Sequence, residues 1–339
     1  MLDVLIVGGG PAGLMTALLA ERAGLRSLVL EPRRGPIDKA CGEGLMPAAV
    51  DALAAVGVDP GGMAFRGIRY RDSCASATAA FPPGRCGRGV LRTELQAALA
   101  RAVRAAGVPV VHRRADRIDQ TDSAVCAADI RARYLVGADG LHSRVRGQLE
   151  PQASARRHRR WGQRAHVRRR PWTDVVEVYW NDEAEAYVTP VRPELVDVTV
   201  LGGRGSWATR LDGFPQLRRM LVGCDLCGPI RGAGPMSVRP KQRVHGRVLL
   251  VGDAAGSLDG LTGNGLTIAF ASARALVERL AAGDPRGYED DWRRLSRRSR
   301  LVTAALLWVR GRAPLRRHIV PLAAAVPSLF DELVGQLAH

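Results

Sequence analysis

Residues 39–47 read KACGEGLMP, which sets a thiol at Cys41 and a carboxylate at Glu43 among glycines at 42 and 44. Lys39, which opens the stretch, is one of two lysines in the chain. Three uses fit such a stretch: a surface turn, a reactive cysteine, or main chain that lies flat against a ligand. A second chemical signal precedes it. Gly8, Gly10 and Gly13 form GxGxxG, with Pro11 and Ala12 inside the motif, and Glu31 follows 18 residues after Gly13, with Arg33 just beyond. Glycines in this pattern permit a tight turn, close approach of a pyrophosphate to the backbone, and close helix–strand packing. Glu31 is placed to accept hydrogen bonds from an adenosine ribose. The chemistry is dinucleotide binding, by NAD or FAD.

Those residues need a strand, a helix and a second strand to hold them. The apolar pattern predicts a buried strand at 2–7, a helix at 14–23 and a strand at 28–30. Two later segments have the same strand-then-loop form. A strand at 134–136 runs into Gly137-Ala138-Asp139-Gly140. Another ends in Gly252-Asp253, followed by a loop carrying Gly263, Asn264 and Gly265 and a helix from about residue 266. A short acid after a buried strand suits the binding of a polyol.

These three segments, in this order, resemble the flavoprotein superfamily that includes p-hydroxybenzoate hydroxylase and geranylgeranyl reductases. The resemblance implies FAD as cofactor. Asp253 would hold the ribityl chain, Asp139 the flavin side of the pyrophosphate region, and Arg92, in the helix of GVLRTELQAALARAVRAAGV, the phosphates. The plainer alternatives are a cap for the following segment at Asp139 and a solvated helix residue at Arg92. Main-chain amides at 262–266 would face the flavin N1–C2=O edge, where a helix N-terminus favours negative charge. The opening stretch is similar to the strip that crosses beside the isoalloxazine in this superfamily, and it lies closer to the reductase version. Cys41 and Gly42 are then cofactor contacts, and Cys41, Gly42 and Glu43 are the candidate flavin-edge residues, with no catalytic group assigned. Glu43 itself reads as a solvated loop carboxylate.

The implied fold is α/β: a Rossmann-type FAD-binding domain, an inserted, mainly antiparallel β-sheet substrate domain, and a helical C-terminal tail. We expect the FAD-binding domain at 1–66, 88–155 and 236–285, the substrate domain at 67–87 and 156–235, and the tail at 286–339. Alternating apolar and polar residues in HVRRRPWTDVVEVYWNDEAEAYVTPVRPELVDVTVLGG support strands there. Trp172, Tyr179, Tyr187 and Pro190 are candidates to line a pocket above the flavin, with core packing as the alternative. The reductase motif PxxYxWxFP is matched only at its ends by Tyr187 and Pro190, and the WxWxIP signature of flavin halogenases is missing.

The expected function is an FAD-dependent monooxygenase of secondary metabolism. It would hydroxylate or epoxidise an aromatic or polyketide-like small molecule through a flavin C4a-hydroperoxide. The alternatives are a flavin-dependent C=C reductase of the geranylgeranyl reductase type, and a flavoprotein without net redox chemistry or acting as a modification partner of another protein. No acid–base pair and no metal-ligand set stands out. No second GxGxxG follows, so NADPH or NADH would bind transiently, or a partner flavin reductase would supply electrons.

Composition narrows the partners. Fifty basic against 33 acidic residues give +17, yet the arginines lack the interleaved aromatics of a nucleic-acid surface. No apolar run reaches the length of a membrane span. The scattered cysteines and the absence of a basic leader before Leu2 lead us to expect a cytoplasmic, thiol-reduced protein. The arginine-rich segment after 285, interleaved with LVTAALLWV, is either a packed helical tail or a basic amphipathic membrane-surface element.

Overall fold

The computed structural model describes residues 1–150, 160–257 and 259–337. The expected boundary at 155/156 lies outside the described residues. Buried apolar residues on both faces drive an eight-stranded, largely parallel sheet. At its centre Leu2–Val7 pairs in parallel with Ser27–Leu30 on one side and Ile130–Gly137 on the other. Val248–Leu250 joins the far side of Ile130–Gly137, again in parallel. The register sets Val7 opposite Gly137 and Gly137 opposite Leu250. Parallel strands in register end at one edge, so the loops that follow residues 7, 137 and 250 open side by side.

The first helix runs Pro11–Arg22, earlier than the apolar spacing alone indicates. Pro11 at its first turn explains the shift, because a fixed φ and a missing N–H suit that position. The second motif strand is longer than predicted, Ile130–Gly137, since it is flanked on both sides in the sheet. The helix after the third motif is Gly265–Ala281.

A second, seven-stranded sheet runs in the order Arg231–Ala233, Trp161–Arg168, Leu195–Gly202, Ala184–Arg192, Val176–Trp180, Gly67–Arg71, Ser76–Ala80. Its pairs are antiparallel except for Val176–Trp180 against Gly67–Arg71. The two-residue period sorts its faces. Ala165, Val167, Val188, Val196, Val198 and Val200 pack under the helices Trp207–Leu211 and Pro215–Leu221. The opposite face carries Arg164, His166, Glu185, Tyr187, Thr189, Asp197 and Thr199, and these reach the loops of the first sheet.

From Tyr288 onward the described chain is helical, beginning with the long helix Tyr288–Arg310. Its last residue, Arg310, is buried and lies 2.6 Å from Glu185, which also pairs with Arg160; Arg160 in turn reaches Asp259 at 3.2 Å. This network ties the C-terminal helix, the second sheet and the loop after Gly252 together. Removing one member of a buried ion pair leaves an uncompensated charge and typically costs ~3–5 kcal/mol. Arg160→Leu is therefore expected to lower the unfolding free energy, measured by urea titration, by an amount in that range, and adding Glu185→Gln to recover part of it.

Candidate functional site

The first loop can form only with glycine. Gly8 has φ +118°, and a Cβ there would lie 2.4 Å from the Ala138 carbonyl oxygen; a Cβ on Gly13 would lie 1.9 Å from the Gly8 oxygen. The first and second motif loops thus touch main chain to main chain. Gly10 is different: a Cβ there would have only the Arg92 Nη2 atom within reach, at 3.9 Å. Open space above Gly10, the N-terminus of Pro11–Arg22, and an adjacent guanidinium make an anion cradle.

Other expected contacts gather around it. Glu31 accepts from the Gly9 N–H at 2.9 Å and is gripped by Arg33 at 2.8 and 3.0 Å. Burial opposes the Glu31 charge, but Arg33 and the backbone donors outweigh it and leave the carboxyl below its usual range. Asp139 has a double role. Its Oδ2 accepts the N–H groups of Arg144 and Val145, capping the helix Arg144–Leu149, while its buried Oδ1 has no partner. The Arg92 Nε is likewise buried without a partner. The unpaired Arg92 Nε–H fits an anion such as the pyrophosphate of FAD, whereas the unpaired Asp139 Oδ1, an acceptor, suits a hydroxyl or N–H donor.

Asp253 holds a residue that sequence reasoning left without a role: Lys39 donates to its Oδ2 at 2.9 Å. Burial opposes ionisation of Asp253, yet Lys39, with Arg92 and Arg146, holds the carboxyl below its ordinary value. The rarity of lysine in this chain was the available signal. Asn264 precedes the Gly265–Ala281 helix and has a buried, unpartnered Oδ1. Gly252, Asp253, Asn264 and Gly265 border a cavity of about 70 Å³ whose far wall is Trp292, Ser296 and Thr303 of the long C-terminal helix. Gly263 adopts φ +64° at the turn into the helix.

The KACGEGL strip is clamped against the second sheet. Thr189 donates to the Gly42 carbonyl at 2.8 Å, and the Thr199 hydroxyl lies 3.3 Å from the Cys41 carbonyl oxygen. Nothing lies within 4 Å of a Cβ built on Gly42, so the strip is open on that side. Burial pushes the Cys41 thiol up, which keeps it protonated and makes it a poor nucleophile.

Glu43 is not the solvated carboxylate expected from the sequence. Its side chain is fully buried and its φ is +53°, an unfavourable region for a residue with a Cβ. Contacts hold it there: the Arg92 N–H donates to Oε1 at 2.9 Å, and His166 Nε2 meets Oε2 at 2.7 Å. Arg164 fixes the histidine tautomer. Its Nη1 lies 3.1 Å from His166 Nδ1. A guanidinium only donates, so Nδ1 accepts and Nε2–H donates to Glu43. Asp197 completes the group, with ligand atoms of Glu43, His166 and Asp197 all within 4.8 Å of one another. Arg164, whose Nε is 3.8 Å from Glu43, already supplies a positive charge, which disfavours a metal ion there. Burial, and then Glu43, push Asp197 well above the usual carboxylate range. Protonated Asp197 can donate to Thr199, 2.9 Å away, and Thr199 to the Cys41 carbonyl. An acid–base group thus exists where the sequence indicated none, because its members lie on three separated segments.

The aromatic candidates divide. The Tyr187 hydroxyl donates to the Leu261 carbonyl at 2.9 Å, facing the third motif loop. Trp172 and Tyr179 both donate to Glu177, on the face turned away from the loops. Pro190 is buried at a register shift, with its carbonyl closing on Gly89.

Comparison with known proteins agrees with this geometry. A family described as an FAD binding domain matches residues 1–64 and 100–201. A menaquinone reductase of Mycolicibacterium smegmatis is 48% identical over 56 residues, 16% of this chain and 14% of its own length. A rifampicin monooxygenase of Streptomyces venezuelae is 32% identical over 167 residues, 44% of this chain and 34% of its own length. The chain therefore spans well under two thirds of these relatives. A solved flavin-dependent brominase shares the fold, with TM-score 0.83 and 19% identity over 99% of this chain and 93% of its own.

The state of Asp197 can be read from stability. A carboxyl whose folded-state pKa is raised contributes stability below its unfolded value that is lost as pH rises toward the folded one. The unfolding free energy of Asp197→Asn relative to the parent is therefore expected to rise as pH climbs above the ordinary carboxylate range. A pH-independent difference would show that Asp197 is not held protonated.

Proposed function

We propose that the chain, which matches an FAD binding domain family over residues 1–64 and 100–201, is a flavin-dependent monooxygenase acting on an aromatic or polyketide-like small molecule. The observation that carries the reading is the delivery of Glu31, Asp139 and Asp253 to one sheet edge by parallel strands in register. Bound there, FAD would supply the storage of two electrons and the activation of oxygen. The chain's own residues would do the rest. Glu31 would take the adenosine ribose, Arg92 and the Pro11–Arg22 amides the pyrophosphate, and Asp253 with Lys39 the ribityl hydroxyls. The helix start at Gly265 would favour negative charge on the flavin ring, and the open side of Gly42 would leave space for a flat substrate. Electrons would come from NADPH or NADH bound transiently, or from a partner flavin reductase.

A second reading, reduction of a C=C bond, is favoured by one observation. Two hydrogen-bonded pairs, Glu43–His166 and Asp197–Thr199, lie together behind the strip and would hold a proton close to the site. Addition of a hydride to a double bond needs a proton to finish it; oxygen insertion makes less demand on the protein.

Turnover of a candidate substrate with NADPH in ¹⁸O₂ separates the two. The first reading expects labelled product and no reaction without oxygen. Product formed anaerobically, without label, would replace it with the second. Loss of FAD retention in Gly10→Val, where the side chain fills the cradle, with the fold intact by circular dichroism, is expected under either.

A further inference from the structure

Most of the large apolar side chains exposed among the described residues lie between 295 and 329, although this segment is about a tenth of the chain. Residues 292–330 also hold nine arginines and no acidic residue. The two features share a surface. On Tyr288–Arg310, Trp292, Ser296, Ser299 and Thr303 face inward at helical spacing. Arg294, Arg297, Leu301, Ala304 and Trp308 recur every three or four residues and are exposed, so they form the opposite stripe, basic at its start and apolar at its end. Arg312 stacks on the Trp308 ring, 3.5 Å from its centroid.

The stripe continues onto the terminal helices. Ala313–Ala325 and Pro327–Gly335 meet at a bend of 97°. Leu322 is 61% exposed, Val326 42% and Leu329 54%, all near this corner. Val320, Phe330 and Val334 are buried on the other side, with Phe330 against Tyr70 at 4.7 Å between ring centroids. The corner is thus fixed to the second sheet with its apolar edge outward. No single described helix is long and apolar enough to cross a membrane.

We propose that this surface docks the protein on an anionic lipid bilayer, with the corner around Val326 entering the acyl boundary and the exposed arginines 297, 312 and 317 meeting lipid phosphates. Charge decides among occupants. A second copy would bring the same arginine-rich face against itself, with Asp331 and Glu332 at its end as the acids to balance it, since Glu289, Asp290, Asp291 and Asp182 already pair with Arg293, Arg294 and Arg316. Nucleic acid would satisfy the arginines but leave the aliphatic corner in water. A lipid surface satisfies both, and an indole beside an arginine suits the headgroup boundary. The proposal does not depend on which flavin reaction the enzyme performs.

Flotation of the full chain with phosphatidylcholine vesicles, with and without phosphatidylglycerol, tests it. Binding is expected with the anionic vesicles, weakening steeply with added salt. Each arginine near such a surface is worth roughly fivefold in partitioning, so Arg297→Gln/Arg312→Gln should bind at least tenfold more weakly. Leu322→Glu/Leu329→Glu should lose binding while keeping its melting temperature and cofactor content, since both positions are exposed. Absence of flotation with phosphatidylglycerol overturns the proposal. So does flotation unaffected by the leucine substitutions, or a dimer in light scattering that those substitutions dissolve, which would make the corner a self-association face.

Discussion

Parallel pairing of three strands from distant parts of the chain is the constraint on which the site rests. Leu2–Val7, Ile130–Gly137 and Val248–Leu250 are neighbours in register, and parallel strands release their loops at one edge. The contact is close enough to exclude any side chain at Gly8, which lies against the Ala138 carbonyl. Arg92 above Gly10 and Lys39 on Asp253 are then arranged around an opening that the sheet has already defined.

The second sheet does more than cover this opening. Its inward face is polar, and those polar residues grip main chain: Thr189 and Thr199 hold the strip at residues 41 and 42, and Tyr187 holds the loop at Leu261. Glu43 adopts a backbone conformation that costs on the order of 1–2 kcal/mol for a residue with a side chain. His166, Arg164 and the Arg92 amide outweigh that cost by satisfying its buried carboxylate. A strained acid beside a second buried acid is a costly way to build a turn, and it shows where stability has been exchanged for position.

The long C-terminal helix links the interior to the surface. One face walls the cavity beside Asp253, its end is tied into the sheet through Arg310 and Glu185, and its opposite stripe carries exposed arginines, Leu301 and Trp308. The high positive charge of the chain is therefore unevenly used. Arg160, Arg164 and Arg310 are buried and paired, whereas Arg293 and Arg294 pair with Glu289, Asp290 and Asp291 at the exposed surface.

Local pattern alone determined the α/β class, the strand–helix–strand unit around GxGxxG and the existence of three strand-then-loop segments. Strand burial, glycine conformation and helix spacing are properties of short stretches, and they need no distant partner to be recognised. Boundaries shifted where neighbours intervened, as in the extension of the second motif strand to Ile130–Gly137. Only the tertiary structure decided the state of Glu43, the partner of Asp253 and the sorting of Tyr187 from Tyr179. Each of these depends on residues tens to hundreds of positions apart, and burial and charge pairing arise from which segments meet in space.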